Sequence, residues 1–123
     1  MPSPLVAIVD DDASVRRALT RLLQSAGIRV LTYASATEFL DTGISSAPGC
    51  LILDIHLGGM SGLELLSQLR RSGYSIPILI ITAHDDAQTR EAAARVGCTA
   101  YLRKPLDGKM ILDEVAAAMK RAA

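Results

Sequence analysis

Two hydrophobic patterns alternate along the chain. Four short runs are almost continuously apolar, as expected for strands that are buried on both faces of a sheet. A further run, which ends at Tyr33, alternates in polarity and predicts an edge strand. Together these patterns predict five strands, at residues 5–9, 28–33, 50–54, 76–81 and 99–102.

Between these runs, apolar residues recur at helical spacing. In the first such segment Val15, Leu19 and Leu22 share one face, and arginines occupy the other. Five helices are predicted in this way, and polar side chains that favour helix N-termini precede four of them. The predicted N-caps are Asp12, Ser35, either Asp85 or Asp86, and Asp107. Residues 45–49 and 58–62 have loop composition, and glycines are expected to end three helices at positions 27, 73 and 97.

Strands that alternate with helices pair in parallel through right-handed crossovers, so we expect a three-layer α/β sandwich. The chain has 123 residues, of which 50% are hydrophobic. This length suits one domain that spans residues 1–123, and no repeat or linker divides it.

The composition of the chain argues against several classes of function. The formal net charge is zero and the pI is about 6.7, which argues against direct nucleic-acid binding and against a polybasic membrane patch. No apolar run approaches the length of a membrane span, and we expect no signal peptide. Cys50 and Cys98 lack metal-binding or redox spacing and are expected to be reduced thiols, which favours a cytoplasmic protein.

The polar residues that could take part in chemistry lie where the predicted strands end. Residues 10–12 are three aspartates that follow the first strand, and Asp54 ends the third. Thr82 closes the fourth strand and Lys104 follows the fifth. Because the carboxyl ends of parallel strands meet at one edge, these residues should gather there. If the strand order is 2-1-3-4-5, Asp10, Asp11 and Asp54 would lie side by side.

Such clustered carboxylates repel one another and therefore bind either protons or a cation. Magnesium suits a set of oxygen ligands of this kind. With Lys104 and Thr82 beside it, Asp54 has the surroundings that stabilise a transferring phosphoryl group. Asp54 would then be a nucleophile that forms an acyl phosphate.

The ordered set of motifs resembles the receiver domain of two-component response regulators. It consists of VDDD at residues 9–12, LD at 53–54, Gly62, ITA at 81–83 and KP at 104–105. The resemblance covers nearly the whole chain. It implies a flavodoxin-like (βα)5 fold with a parallel sheet in the order 2-1-3-4-5.

The resemblance also implies roles for individual residues. Asp54 would accept a phosphoryl group from a partner sensor histidine kinase, with Thr82 and Lys104 contacting that group. Mg²⁺ would be held by Asp10, Asp11, Asp54 and the backbone carbonyl of His56. Thr82 and Tyr101 would form a switch that alters the face made by the fourth helix, fifth strand and fifth helix, through which members of the family often form homodimers. The protein would be a regulatory phosphoacceptor and not an enzyme that turns over a small molecule.

Some residues have a second interpretation. Asp12 is expected to cap the first helix and not to bind metal. Tyr101 could be an ordinary core residue. His56 and His84 suggest a zinc pair, but the simpler interpretation is two loop histidines at the rim of the pocket. The resemblance implies that residues at these two positions tune how long the phosphoryl group lasts.

Three other functions compete with the receiver interpretation. A haloacid-dehalogenase-like phosphatase would require a D-x-D motif and a longer chain. A flavodoxin-like cofactor site would require a first loop rich in glycine or hydroxyl side chains, where this chain has aspartates. A pseudo-receiver that only binds partners stays open.

Overall fold

The computed structural model describes residues 4–83 and 86–122. Five strands and five helices alternate along this part of the chain. The strands are β1 (Leu5–Val9), β2 (Arg29–Tyr33), β3 (Cys50–Asp54), β4 (Ile78–Thr82) and β5 (Ala100–Arg103). The helices are α1 (Ala13–Ser25), α2 (Ala36–Glu38), α3 (Gly62–Arg71), α4 (Ala87–Val96) and α5 (Gly108–Ala122).

The strands form one parallel sheet in the order β2-β1-β3-β4-β5, which confirms the predicted topology and places β2 at an edge. Every residue of β3 and β4 is buried, because helices cover both faces of the central strands. One hydrophobic core contains Phe39 and Leu66, and the other contains Leu19 of α1 and Val115 of α5. The predicted three-layer α/β sandwich is therefore confirmed.

Helix starts follow the predicted capping residues. The Asp12 carboxylate accepts a hydrogen bond from the Ser14 amide at 2.8 Å, which confirms its N-cap assignment. Of the two candidates before α4, Asp86 is the N-cap and accepts from the Thr89 amide at 2.7 Å. Asp85 lies outside the described residues.

Other boundaries differ from the prediction. Strand β4 begins at Ile78 and not at Ile76, because the intervening Pro77 has no amide to donate. Helix α3 begins at Gly62, inside the predicted loop, because Ser61 caps it in a reciprocal capping box with Glu64.

The α2 segment departs most from the expected short helix and loop. Its α-helical part is followed by a π-helical turn, Phe39–Gly43, and then by a 3₁₀ turn, Ile44–Ser46. Part of the predicted loop at residues 45–49 is therefore helical. A Cβ atom at Gly43 would overlap the Phe39 ring, so this ring packs directly against the backbone of Gly43.

In the part of the chain that the structure describes, no helix has the length and apolar character to span a membrane.

Candidate functional site

Three carboxylates meet at the carboxyl edge of the sheet. Strands β1 and β3 are neighbours, with Val9 in register with Leu53, so Asp10, which follows β1, lies beside Asp54, the last residue of β3. Asp10, Asp11 and Asp54 each place one carboxylate oxygen within 4.8 Å of the others. Asp10 and Asp54 are buried, whereas Asp11 is exposed. The predicted cluster is thus formed, with one member open to solvent.

Lys104 supplies the positive charge of this site. Its backbone amide donates to the Thr82 carbonyl at 2.8 Å, which holds the residue beside the end of β4. Its Nζ atom lies 3.2 Å from Asp10 Oδ2 and 3.4 Å from Asp54 Oδ2. The following bond to Pro105 is cis. One ammonium group therefore bridges two buried carboxylates that are far from it in sequence.

The charges in the site are not balanced. Burial and the neighbouring charge of Asp10 raise the pKa of Asp54, and Lys104 only partly opposes them. Burial disfavours the charged form of Lys104, but Asp10 and Asp54 outweigh this effect and raise its pKa. Three carboxylates thus face one ammonium group, and the excess negative charge is the kind that a bound cation relieves.

The residues present fit a hard divalent cation. The cluster offers oxygen ligands only, which is the donor set that magnesium prefers. The exposed side chain of Asp11 gives the cluster an opening to solvent. The His56 amide donates to Asp54 Oδ1 at 3.2 Å, so the loop after β3 is fastened to the candidate phosphoacceptor. The metal-binding role of the His56 carbonyl stays a prediction.

The two predicted switch residues lie on the neighbouring strands. Thr82 is fully buried at the end of β4. Tyr101 is half-buried in β5, where it packs against the core that contains Phe39. The Arg90 guanidinium of α4 lies 5.7 Å from the centre of the Tyr101 ring, close enough for a cation–π contact. Tyr101 therefore connects the core to the surface of α4, and its movement stays a prediction.

Two supporting residues had no such role in the sequence interpretation. Arg16, assigned there to the polar face of α1, donates from Nη1 to the Asp10 carbonyl at 2.7 Å. Gly62 lies so close to the end of β3 that a Cβ atom would overlap the Asp54 carbonyl oxygen. The position of Arg16, close after the three aspartates at residues 10–12, was a usable sequence signal for its contact with the Asp10 carbonyl. Only three-dimensional packing explains why residue 62 must be glycine.

His84, the second of the two histidines predicted to line the rim, lies outside the described residues. The His56 side chain is exposed, as a rim position requires.

Comparisons with known proteins agree with this geometry. The sequence profile of the response regulator receiver domain matches residues 6–116. The transcriptional regulatory protein FixJ of Azorhizobium caulinodans is 38% identical over all of this chain and 59% of its own length. The transcriptional regulatory protein TdiR of Thauera aromatica is 42% identical over 93% of this chain and 50% of its own length. This chain thus spans little more than half the length of these relatives.

A solved structure gives the same result. The response regulator receiver protein from Burkholderia phymatum superposes with a TM-score of 0.83 at 45% identity, covering 96% of each chain. Sequence profile, relatives and fold all coincide with an acidic cluster and lysine at the carboxyl edge of a 2-1-3-4-5 sheet. The chain belongs to the receiver domain family of two-component response regulators, a family of regulatory signalling domains.

Proposed function

We propose that Asp54 accepts a phosphoryl group from a phosphohistidine of a partner sensor histidine kinase, in a reaction that requires Mg²⁺. The observation that carries this proposal is the bridge from Lys104 Nζ to both Asp10 and Asp54 at the edge of the sheet. A carboxylate oxygen of Asp54 forms the new bond to phosphorus while the phosphorus–nitrogen bond of the donor breaks. The electron pair of the broken bond stays on the histidine nitrogen, which takes up a proton from solvent.

Each residue of the site has a task in this reaction. Asp10, Asp11, Asp54 and the His56 carbonyl would hold Mg²⁺, which neutralises charge on the phosphoryl oxygens. Lys104 would pair with a phosphoryl oxygen, and the Thr82 hydroxyl would donate to another. The domain thereby catalyses its own phosphorylation and its own dephosphorylation by water, which releases inorganic phosphate. Its output is the modified surface and not a small-molecule product.

The same residues connect the modification to a change of surface. When the Thr82 hydroxyl moves toward the phosphoryl group, Tyr101 can occupy the space that it leaves. Arg90 lies over the Tyr101 ring, so the movement would reach α4 directly. The α4-β5-α5 face would then form a homodimer or contact another domain.

The proposed domain comprises the whole of residues 1–123 and works in the cytoplasm. The relatives FixJ and TdiR are named transcriptional regulatory proteins, and this chain matches only part of each. If the native protein regulates transcription, nucleic-acid binding would belong to another domain, because this one has no net positive charge.

The proposal is tested by intact mass after incubation with acetyl phosphate, with and without Mg²⁺. We expect one added phosphoryl group on the wild-type chain that requires Mg²⁺ and is absent in Asp54→Asn. Asp12→Asn is the matched control, because it removes a neighbouring charge while asparagine still caps α1. This variant should be phosphorylated like the wild type.

Two outcomes would contradict the proposal. An adduct that persists in Asp54→Asn would move the phosphoacceptor to another residue. A complete lack of adduct, together with no binding of Mg²⁺ in a calorimetric titration, would favour a pseudo-receiver that only binds partners.

A further inference from the structure

Positive charge is concentrated in one stretch of this neutral chain. Residues 13–37, which form α1, β2 and the start of α2, contain four arginines and no acidic residue. The rest of the chain therefore carries a net charge of −4 at pH 7, since the whole chain has a formal net charge of zero. Positive charge is therefore concentrated on α1 and β2, next to the acidic cluster and not within it.

Three of these arginines line a groove between α1 and the edge of the sheet. The groove has a volume of about 370 Å³ and is lined by Ala13, Arg16, Arg17, Thr20, Arg21 and Thr32. We call these six residues the basic groove. Arg16 is anchored by its hydrogen bond to the Asp10 carbonyl. Arg17 and Arg21 are exposed and form no hydrogen bond or ion pair with any residue that the structure describes. Their charges are thus available to a partner.

The groove lies beside an open sheet edge. Strand β2 has β1 as its one neighbour in the described sheet. The Arg29 amide donates to the Pro4 carbonyl at 2.9 Å and the Tyr33 carbonyl accepts from the Asp10 amide at 3.1 Å, so these residues direct their backbone toward β1. Because backbone direction alternates along a strand, the amides and carbonyls of Val30 and Thr32 point away from the sheet. An additional strand could pair with them.

The two faces of this edge differ in chemistry. Thr32 lies in the basic groove, and Val30 packs on the same side against the core under α1. Leu31 belongs to the opposite side with Tyr33 and is 42% exposed, one of two large hydrophobic residues that are exposed in the described chain. A strand that pairs with β2 would therefore meet arginines on one face and an apolar side chain on the other.

We propose that the open edge of β2 and the basic groove bind an extended segment of a partner protein in which acidic and apolar residues alternate. Main-chain hydrogen bonds to Val30 and Thr32 provide the pairing, as in other cases of strand addition. Because side chains of a strand alternate between faces, its acidic residues meet Arg17 and Arg21 while its apolar residues cover Leu31. The exposed leucine favours a protein segment over a nucleic acid, whose backbone gains nothing from an apolar contact.

The test uses a fluorescein-labelled peptide in which glutamate and valine alternate over about nine residues, which is within the usual range of strand lengths. Binding is followed by fluorescence anisotropy without acetyl phosphate, so failure here leaves the phosphorylation of Asp54 untouched. We expect the double variant Arg17→Glu/Arg21→Glu to bind about tenfold more weakly or worse. The matched control is Arg71→Glu/Arg95→Glu, which makes the same charge change on exposed residues of α3 and α4 and should bind like the wild type.

Backbone pairing is tested separately from charge. The peptide should protect the Val30 and Thr32 amides from hydrogen exchange, because these amides become hydrogen bonded. A second peptide of identical composition, with its glutamates and valines in two blocks, should bind about tenfold more weakly, since it cannot present acids on one face.

Three results would overturn the proposal. The first is equal affinity for the alternating and blocked peptides, and the second is undiminished binding to Arg17→Glu/Arg21→Glu. The third is that a DNA duplex binds the wild-type chain and not Arg17→Glu/Arg21→Glu, while the alternating peptide does not bind. The groove would in that case contact nucleic acid.

Discussion

The surroundings of Asp54 disfavour the charged form of its carboxyl group. Burial and the adjacent Asp10 raise its pKa above the value that the unfolded chain would show. The unfolded chain therefore releases this proton at lower pH than the folded chain does. The contribution of Asp54 to stability should therefore fall as pH rises through the interval between the two pKa values, and it stays reduced above this interval. The charged carboxylate that the proposed phosphoryl transfer requires is thus a form that the fold disfavours.

We predict that Asp54→Asn is more stable than the wild type at pH 7 without Mg²⁺, by about 1 kcal/mol. The substitution removes a repelled charge, and Lys104 keeps its contact with Asp10 at 3.2 Å. The difference should shrink as pH falls through the raised pKa of Asp54, because the wild-type carboxyl group then becomes neutral as well. Urea denaturation of both proteins across this pH range measures it. A less stable variant at pH 7 would mean that the attraction of Lys104 exceeds the effects of burial and Asp10.

Gly62 controls how closely α3 approaches the end of β3, which carries Asp54. Its amide donates to the Ile55 carbonyl at 2.8 Å, and a Cβ atom would overlap the Asp54 carbonyl oxygen. We predict that Gly62→Ala destabilises the fold by about 1–3 kcal/mol, because backbone on both sides must shift. It should also slow phosphorylation by acetyl phosphate, since Asp54 moves with that backbone. Gly58→Ala is the control, because nothing lies within 4 Å of a Cβ atom there. If the two variants behave alike, the close approach is unimportant.

At the scale of elements, one arginine ties two helices to the sheet. Arg70 of α3 donates to the Gly97 carbonyl beyond α4 from Nε at 3.1 Å and from Nη2 at 2.9 Å. Its Nη1 atom donates at 2.8 Å to both the Tyr74 and Ile76 carbonyls, which precede β4. The carboxyl end of α4 is therefore held, whereas its amino end lies near the site.

We predict that Arg70→Lys lowers the free energy of unfolding by about 1–3 kcal/mol, because an ammonium group cannot reach all three carbonyls at once. Arg71→Lys, at the next and exposed position, should change stability by less than about 0.5 kcal/mol. Urea denaturation measures both variants. Hydrogen exchange should show the Cys98 amide, which donates to the Ala93 carbonyl, opening more often in Arg70→Lys. Equal loss of stability in both variants would show that the three carbonyl contacts contribute little.

At the scale of the whole molecule, the proposed binding of a cation to the acidic cluster would be linked to folding. An ion that binds only the folded chain stabilises it, by about 2.7 kcal/mol at a free concentration of one hundred times Kd. A carboxylate must be deprotonated to bind the ion. Because the pKa of Asp54 is raised, stabilisation by the ion should be lost on acidification at a higher pH than it would be with an aspartate of ordinary pKa.

We predict that Mg²⁺ raises the melting temperature of the wild-type chain and that a chelator reverses the rise. Asp11→Asn should abolish most of the response, because it removes one of the three clustered carboxylates. Asp11 is exposed, so the fold itself should be unaffected. Thermal unfolding followed by circular dichroism compares the two proteins with and without Mg²⁺. An identical rise in both would place the stabilising ion elsewhere.

Much of the molecule could be derived from the chain alone. Apolar runs and helical spacing predicted the number, type and order of the elements, because burial on a sheet or beneath a helix leaves a local periodic record. The aspartates after β1 and the aspartate that ends β3, with Thr82 and Lys104, could be assigned to one edge because every parallel strand ends there. The N-cap at Asp12 was equally local, since its partner is the Ser14 amide.

Other features were decided only by the tertiary structure. The sequence does not distinguish Asp10, which is buried, from Asp11, which is exposed. The bridge from Lys104 to Asp54 and the contact from Arg70 to Gly97 join residues 50 and 27 positions apart. Such contacts depend on how elements pack after they form, and on which side chains then share a small buried space. Local periodicity indicates whether a residue faces the core or the solvent, but it does not indicate which distant residue it contacts. The chemistry of this site depends on those contacts.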